Sequence, residues 1–334
     1  MPSPTPSTEQ PTVLLIGASG LLGRAIAAAL AREASLTLLA TVRDPASARA
    51  RLLALPPENV ATLDVLDEPA LERLFDARKP AAVIICAAER RPDVCERDPA
   101  AARAINVDAP ARIAALAARY DAWTLGISTD YVFDGSAAPY REDAAPNPLN
   151  VYGRTKLEGE AALLAASPRS CVLRVPLLYG PIADWSESSV TSLVPAIVAS
   201  ARPGARAVGM DAWAIRYPTF TPDVAAVIRD LTLRHLAGSP VTGLCHWSAD
   251  EPMTKYDIAR RIAAALGIEA ALEPIDKPTD ATPRPYDCHL DASRVRALGI
   301  AYATPFDTAL RAVLRDAPGG LQDRARHARH IRRV

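Results

Sequence analysis

The sequence predicts an α/β protein: a Rossmann domain with a doubly wound parallel sheet, followed by a smaller C-terminal α/β substrate domain. Three observations support this. Short apolar runs alternate with amphipathic segments in the first half, a glycine-rich segment follows the first run, and the rhythm changes after residue 175. Apolar runs separated by helices are typical of parallel sheets covered on both faces.

The first half predicts its elements in order. From Thr12, an apolar run, a glycine turn and an amphipathic segment to about Ala31 indicate strand, loop and helix. Further helices are expected near 68–78, 99–119 and 151–166. Further strands are predicted at Leu36–Val42, Val60–Leu63, Ala82–Cys86, Trp123–Ile127 and Cys171–Val175.

The second half predicts a different arrangement. Prolines and polar loops become frequent after residue 175, and helices are expected near 222–236 and 254–266. We therefore assign a Rossmann domain to 11–175 and the smaller substrate domain to 176–316.

The two ends of the chain are predicted to lie outside both domains. Residues 1–10 are rich in proline and hydroxyl side chains, offer little apolar surface to bury and are predicted to be a disordered leader. Residues 317–334 are rich in arginine and are predicted to be a solvated basic tail, with partner binding as the alternative.

Composition excludes several classes of protein. The 334 residues carry 38 basic and 38 acidic side chains, so no net charge attracts the protein to nucleic acid or to a membrane surface. Five cysteines without a Cys-x-x-Cys pair argue against a disulfide scaffold and a zinc knuckle, and no histidine spacing predicts a metal site. With no signal peptide and no apolar stretch of roughly 18 residues, a cytoplasmic protein is expected.

A glycine-rich segment predicts a dinucleotide site. It directly follows the first predicted strand and opens the first helix, the context in which such a motif is informative. Gly17 permits a tight turn, Gly20 lets a pyrophosphate approach the backbone, and Gly23 lets the helix pack on the sheet. A plain tight turn is the alternative. The predicted contacts in this segment are Gly17, Ser19, Gly20, Leu21, Leu22 and Gly23.

The end of the second strand bears on which dinucleotide binds. An acid there would bind the ribose 2′-hydroxyl, and an arginine would pair with a 2′-phosphate. Arg43 comes first and offers bidentate phosphate recognition, so NADP(H) is favoured and NAD(H) is the alternative. Asp44, which precedes Pro45, is the alternative ribose ligand, and capping of the next helix is its other interpretation.

Residues after the later strands complete the predicted cofactor site. Those after the third strand would lie near the adenine, and small side chains after the fourth would line the cofactor. Cys86 also fits a plain core position. The assigned residues are Asp64, Val65, Cys86, Ala87, Ala88 and Pro176.

A catalytic set is predicted from two further segments. Tyr152 and Lys156 are four residues apart at a helix start, which places both on one helical face. The pKa of a tyrosine is ordinarily near 10, and an adjacent ammonium brings it closer to the working range. Thr129, at the end of the fifth strand, would hold a carbonyl oxygen while Tyr152 donates a proton to it. Tyr152, Lys156 and Thr129 are therefore the predicted catalytic residues, and Tyr152 and Lys156 also the predicted contacts to the cofactor.

The segments 128–135, 139–142 and 148–160 resemble the dTDP-4-dehydrorhamnose reductase group of extended short-chain dehydrogenases/reductases. The resemblance implies reduction of the 4-keto group of a nucleotide sugar. It also implies that Thr129, Tyr152 and Lys156 are catalytic. The substrate residues assigned on this basis are Asn106, Asp130 and Tyr131, and Arg284 is added as a possible partner for a diphosphate, with a plain surface arginine as the alternative.

A second resemblance extends over nearly the whole chain. The segments 86–94, 106–108, 173–180, 246–248 and 253–256 are similar to regulatory beta subunits of methionine adenosyltransferase. That resemblance implies an NADP-binding protein whose partner is a methionine adenosyltransferase catalytic subunit. Arginine and alanine dominate the composition, as in GC-rich and often bacterial genomes, and on that ground the reductase interpretation is preferred.

Overall fold

The computed structural model describes residues 10–278 and 281–317. The predicted leader, apart from Gln10, and the predicted basic tail, apart from Ala317, lie outside the described residues. No helix among the described residues is long and apolar enough to cross a membrane.

A seven-stranded parallel sheet is the centre of the structure. Its order is β10-β6-β5-β4-β1-β2-β3. Successive strands are added on one side of β1 up to β3 and on the other side from β4 onwards, so the topological switch point lies between β1 and β4. Ligands of open α/β sheets bind at the carboxyl ends of the strands beside such a switch point. The strands are β1 (Thr12–Ile16), β2 (Thr37–Val42), β3 (Val60–Thr62), β4 (Ala82–Ile85), β5 (Trp123–Thr129), β6 (Cys171–Val175) and β10 (Gly243–His246).

Helices cover both faces of this sheet, as the fold class predicted. Along β1, Val13 and Leu15 belong to one apolar cluster, whereas Leu14 and Ile16 belong to another on the opposite face. Alternation of this kind follows from the two-residue period of a strand. The helices of the first half are α1 (Leu21–Leu30), α2 (Glu68–Arg78), α3 (Pro92–Arg97), α4 (Pro99–Arg103), α5 (Ala109–Arg119) and α6 (Val151–Ala166).

The long helix predicted at 99–119 is interrupted. A π-helical turn at Ala104–Asp108 separates α4 from α5. Pro110 supplies a physical reason, because it has no N–H to donate to the carbonyl of Asn106 four residues earlier. Such turns are frequent at functional sites, and this one carries the buried Asn106.

A second, smaller structural unit is formed mainly by residues after 175. Its core joins Tyr179, Ile258 and Phe306 with neighbouring apolar side chains. Two small parallel sheets pair β7 with β9 and β8 with β11. The elements are β7 (Leu178–Tyr179), α7 (Val194–Ser200), β8 (Val208–Asp211), β9 (Thr219–Phe220), α9 (Lys255–Leu266), β11 (Leu272–Ile275), α10 (Ser293–Arg296) and α11 (Phe306–Asp316).

Two elements beyond residue 175 pack with the seven-stranded sheet and not with the second unit. The strand β10 pairs with β6 at the sheet edge, and α8 (Thr221–Leu236) packs its buried side chains, such as Val227 and Leu231, in the same apolar cluster as α1. A linear boundary at residue 175 does not include them. β10 extends the sheet by one edge strand, and α8 joins α1 in covering one face of it.

Candidate functional site

The glycine loop has the geometry of a phosphate cradle. Gly17 has a φ of +84°, and a Cβ there would lie 2.8 Å from the backbone nitrogen of Ala87. A Cβ on Gly23 would lie 2.3 Å from the carbonyl oxygen of Gly17. The loop therefore lies against the segment after β4, and α1 lies against the loop, in a way that side chains would prevent.

The first turn of α1 is left open to an anion. Gly20 is the N-cap, no side chain caps the helix start, and the first turn contains no acidic residue. The free N–H groups and the positive end of the helix dipole favour a phosphate at this position. Ser19 precedes the N-cap of this turn, and Leu21 and Leu22 are its first two residues.

A buried ion pair holds the glycine loop in place. Arg24 donates to the carbonyl of Ser19 at 2.8 Å and pairs with Glu187 at 2.6 Å. Arg49 pairs with the same carboxylate at 2.9 Å. Glu187 comes from the second half of the chain, so the sequence carried no local signal for this contact.

Arg43 and Asp44 occupy the end of β2. Arg43 is exposed directly after the strand. The Oδ1 atom of Asp44 accepts from the nitrogen of Ala46 at 2.9 Å, and its carbonyl accepts from the Ser47 hydroxyl at 2.8 Å. Asp44 thus caps a turn, and both Asp44 and the Arg43 side chain are exposed beside the site.

The other assigned cofactor residues lie at the carboxyl ends of their strands. Asp64 is exposed and its Oδ1 accepts from the nitrogen of Leu66 at 3.0 Å, while Val65 and Pro176 are buried. Burial raises the pKa of the Cys86 thiol to about 12, so this cysteine is a neutral group at the cleft. Ala87 and Ala88 follow it, with Ala87 against Gly17.

The structure brings Thr129, Tyr152 and Lys156 together. Thr129 is the last residue of β5, and Tyr152 and Lys156 occupy the first two turns of α6. Asn150 caps that helix by accepting from the nitrogen of Gly153 at 2.9 Å. The Tyr131 ring packs edge-on to the Tyr152 ring, with centroids 5.9 Å apart.

Burial governs the charge state of Tyr152 and Lys156. It raises the pKa of Tyr152 above its ordinary value, against a smaller lowering effect of Thr129, so the phenol is protonated at neutral pH. This direction is opposite to the one predicted from the sequence, because burial of the ring outweighs the effect of the neighbouring ammonium. Burial lowers the pKa of Lys156 to about 8, and the nearby Glu160 carboxylate opposes this effect. Lys156 also donates from Nζ to the carbonyl of Ile127 at 2.7 Å, which fixes the ammonium under the site.

Asp130 is a buried acid next to the Thr129 hydroxyl. The Thr129 hydroxyl donates to its Oδ1 at 3.0 Å and accepts from the nitrogen of Tyr131 at 3.2 Å. Burial raises the pKa of Asp130 to about 6, and the charge of Arg216 opposes that rise. Asp130 therefore orients the Thr129 hydroxyl.

The predicted substrate residues Asn106 and Arg284 have protein partners. The amide of Asn106 accepts from the nitrogen and donates to the carbonyl of Glu89, both at 3.0 Å, and also donates to Thr155 at 3.2 Å. Asn106 thereby fixes the segment after β4. Arg284 pairs with Asp93 at 3.3 Å, which links the second half of the chain to α3.

Two further arginines lie near the predicted catalytic and substrate residues. Burial lowers the pKa of Arg90, and Tyr152 and Arg49 are close enough to affect the same pKa. Arg216 is buried, and its guanidinium lies 5.8 Å from the centre of the Tyr131 ring. The two arginines after Glu89 are visible in the sequence, but the position of Arg90 close to Tyr152 depends on the fold.

The sequence matches a known protein family over almost all of its length. The family described as the RmlD substrate binding domain matches residues 11–318. The chain belongs to this family. No group of three or more His, Cys, Asp or Glu side chains in the described ranges is arranged to hold a metal ion.

Relatives of this RmlD-family protein carry two kinds of name. It is 42% identical over 300 residues to methionine adenosyltransferase 2 subunit beta of Xenopus tropicalis, covering 89% of this chain and 85% of that protein. A crystal structure of a dTDP-4-dehydrorhamnose reductase from Clostridium acetobutylicum matches with a TM-score of 0.75 and 26% identity, covering 90% and 98% of the two chains. The reductase from Bacillus anthracis in complex with NADP has the same fold, with a TM-score of 0.71 and 21% identity over 92% and 98% of the chains.

Proposed function

We propose that this protein is an NADP(H)-dependent carbonyl reductase of the extended short-chain type, acting on the 4-keto group of a nucleotide sugar. One observation carries the proposal: Thr129 at the carboxyl end of β5 interacts with Tyr152, which precedes Lys156 by one helical turn, and an uncapped helix start behind a glycine loop follows β1 at the same edge of the sheet. Membership of the RmlD family supports it.

The residues present fit a dinucleotide. The N–H groups of the first turn of α1 would bind its pyrophosphate, Arg43 a 2′-phosphate, and Lys156 the nicotinamide ribose. When bound, the cofactor supplies the hydride that reduces the carbonyl carbon. The chain itself contributes binding, orientation and the proton.

The catalytic side chains divide the remaining work. Because its pKa is raised by burial, Tyr152 holds its proton and can donate it to the carbonyl oxygen as negative charge develops there. The adjacent Lys156 ammonium then stabilises the resulting phenolate. To bind the substrate oxygen, the Thr129 hydroxyl would turn its single proton from the Asp130 carboxylate to that oxygen.

The proposal is tested by following NADPH absorbance with a panel of 4-keto nucleotide sugars. We expect oxidation that depends on both sugar and protein. If NADPH binds but no member of the panel causes its oxidation, the reductase function is contradicted. The proposed cofactor site is not.

A separate prediction concerns the choice of cofactor. Arg43→Ala removes the exposed guanidinium at the end of β2, so we expect NADPH to bind about 10- to 100-fold more weakly, the loss of a charged hydrogen bond. NADH binding should change little. Fluorescence titration of both nucleotides measures this.

Arg51→Ala is the matched control, because it removes another exposed arginine from the same segment. It should leave both affinities nearly unchanged. An equal loss of NADPH and NADH affinity in Arg43→Ala would show that this arginine does not distinguish the 2′-phosphate.

A second candidate function is regulatory. The 42% identity to a methionine adenosyltransferase beta subunit favours an NADP-binding protein that acts by contacting a methionine adenosyltransferase catalytic subunit. Co-purification with a catalytic subunit from the same genome tests it. A stable complex without NADPH oxidation would favour this function, and oxidation without a complex would favour the reductase.

A further inference from the structure

A buried ion pair lies directly behind the catalytic lysine. Arg174 donates to Glu160 through two nitrogens, at 2.9 and 2.6 Å, and the two side chains are 2% and 4% exposed. Ser128 donates its hydroxyl to the same carboxylate at 2.5 Å. The pair joins α6, β5 and β6 just below the carboxyl ends of the two strands.

The carboxylate side of this pair faces Lys156. A cavity of about 20 Å³, room for one water molecule, is lined by Lys156, Glu160 and Ser128 together with Asn106, while Arg174 lies outside its lining. Glu160 is also one turn beyond Lys156 on α6, on the same helical face. Of the two charges of the pair, the Glu160 carboxylate is therefore the one that shares the cavity with Lys156 and acts on its pKa.

We propose that the Glu160–Arg174 pair is a positioning device for Lys156, in which Glu160 supplies the negative charge that keeps the buried ammonium protonated and in place under Tyr152. The proposal extends the reductase function proposed above and rests on it for its catalytic meaning. It assigns to Glu160 and Arg174 a part in the reaction in addition to their packing.

The other groups near Lys156 do not supply that charge. Burial raises the pKa of Cys86 to about 12 and that of Cys95 to about 11, so both thiols are neutral near pH 8. The Tyr152 phenol is neutral as well. Burial and the neighbouring Arg174 lower the pKa of His246 to about 4, so the imidazole facing Arg174 from β10 carries no charge.

The pKa of Lys156 lies close to neutral pH, so a small further decrease would remove the positive charge of this side chain. Burial lowers the pKa of this lysine to about 8 even with Glu160 in place. An opposite charge within a few ångströms typically contributes at least about 1 pH unit to a pKa. Without Glu160, the amine would lose its charge near neutral pH, and the uncompensated Arg174 guanidinium would lower its pKa further.

The pKa of Lys156 can be measured directly by NMR, because the chain contains four lysines and their signals are few enough to assign. They are Lys79, Lys156, Lys255 and Lys277. Lysine labelled with ¹³C at Cε therefore gives four NMR signals, and Lys156→Arg assigns one of them. We expect the pKa of Lys156 to be about 8 in the unaltered protein and about 7 or lower in Glu160→Gln.

A double variant and a surface variant complete the test. Glu160→Gln/Arg174→Met removes both charges, a replacement that buried pairs often tolerate, and should give a pKa of Lys156 between those two values. Glu158→Gln removes an exposed carboxylate from the same helix and should leave the pKa of Lys156 unchanged. If Glu160→Gln fails to fold, the double variant decides.

The titration separates this proposal from the proposed function. An unchanged pKa of Lys156 in Glu160→Gln, or in the double variant where the single one does not fold, would overturn the role of the pair whether or not the protein reduces a sugar. With an active substrate, the alkaline limb of the pH profile of turnover should move in parallel with the pKa of Lys156, because activity is lost as the ammonium deprotonates; a purely structural role would not produce this shift. Failure of the substrate panel alone would leave the titration result intact.

Discussion

Tyr152→Phe is expected to lower turnover by about 10² to 10⁴-fold, the usual contribution of a general acid. The phenylalanine keeps the ring that packs against Tyr131 and removes only the hydroxyl that donates the proton. Binding of NADPH should remain within about threefold of the unaltered protein, because an anion at the glycine loop does not depend on this hydroxyl. Steady-state NADPH oxidation and fluorescence titration measure the two effects.

Tyr302→Phe serves as the matched control. Its hydroxyl bonds to Asp230 at 2.6 Å and to Arg229 at 2.9 Å, on elements that do not contribute to the catalytic set. Turnover of that variant should be normal. Equal activity of Tyr152→Phe and the unaltered protein would remove Tyr152 from the mechanism, even if the protein proved to be a reductase.

Much of the fold was readable because local patterns and long-range packing agree. Each predicted strand from Thr12 to Val175 lies within one or two residues of an observed one, since apolar runs and amphipathic helices are set by short periods in the sequence. The break at Ala104–Asp108 was not predicted, because its cause is one proline within an otherwise helical segment. The packing of β10 and α8 with the seven-stranded sheet depends on which faces meet, and no local pattern encodes that.

The site shows the same division. The glycine loop and the Tyr152–Lys156 pair were found because their spacings along the chain are fixed by the chemistry they perform. The Arg24–Glu187 pair joins residues far apart in the sequence, and neither charge is unusual alone. For Glu160, a glutamate in the middle of a helix looks like a solvated surface residue until the structure shows that it is buried.

Gly17→Ala is expected to abolish measurable NADPH binding and to destabilise the protein by several kcal/mol. Two costs add at this position. An L-residue at a φ of +84° costs about 1 to 2 kcal/mol. The new Cβ would also lie 2.8 Å from the Ala87 nitrogen and 3.0 Å from its Cα, so the loop after β1 and the segment after β4 must separate. Both segments contribute to the cofactor site, and their separation displaces the cradle.

Gly299→Ala isolates the first cost from the second. Gly299 has a φ of +80°, and a Cβ there would meet no atom within 4 Å, so this variant has the same backbone strain without the collision. We expect a loss of about 1 to 2 kcal/mol in the free energy of unfolding, measured by urea denaturation, and unchanged NADPH binding. If the two variants were equally stable and both bound NADPH, the contact between the glycine loop and Ala87 would not be what shapes the cofactor site. A larger loss for Gly17→Ala would show that the close approach of two backbones, which only a glycine permits here, builds the phosphate cradle.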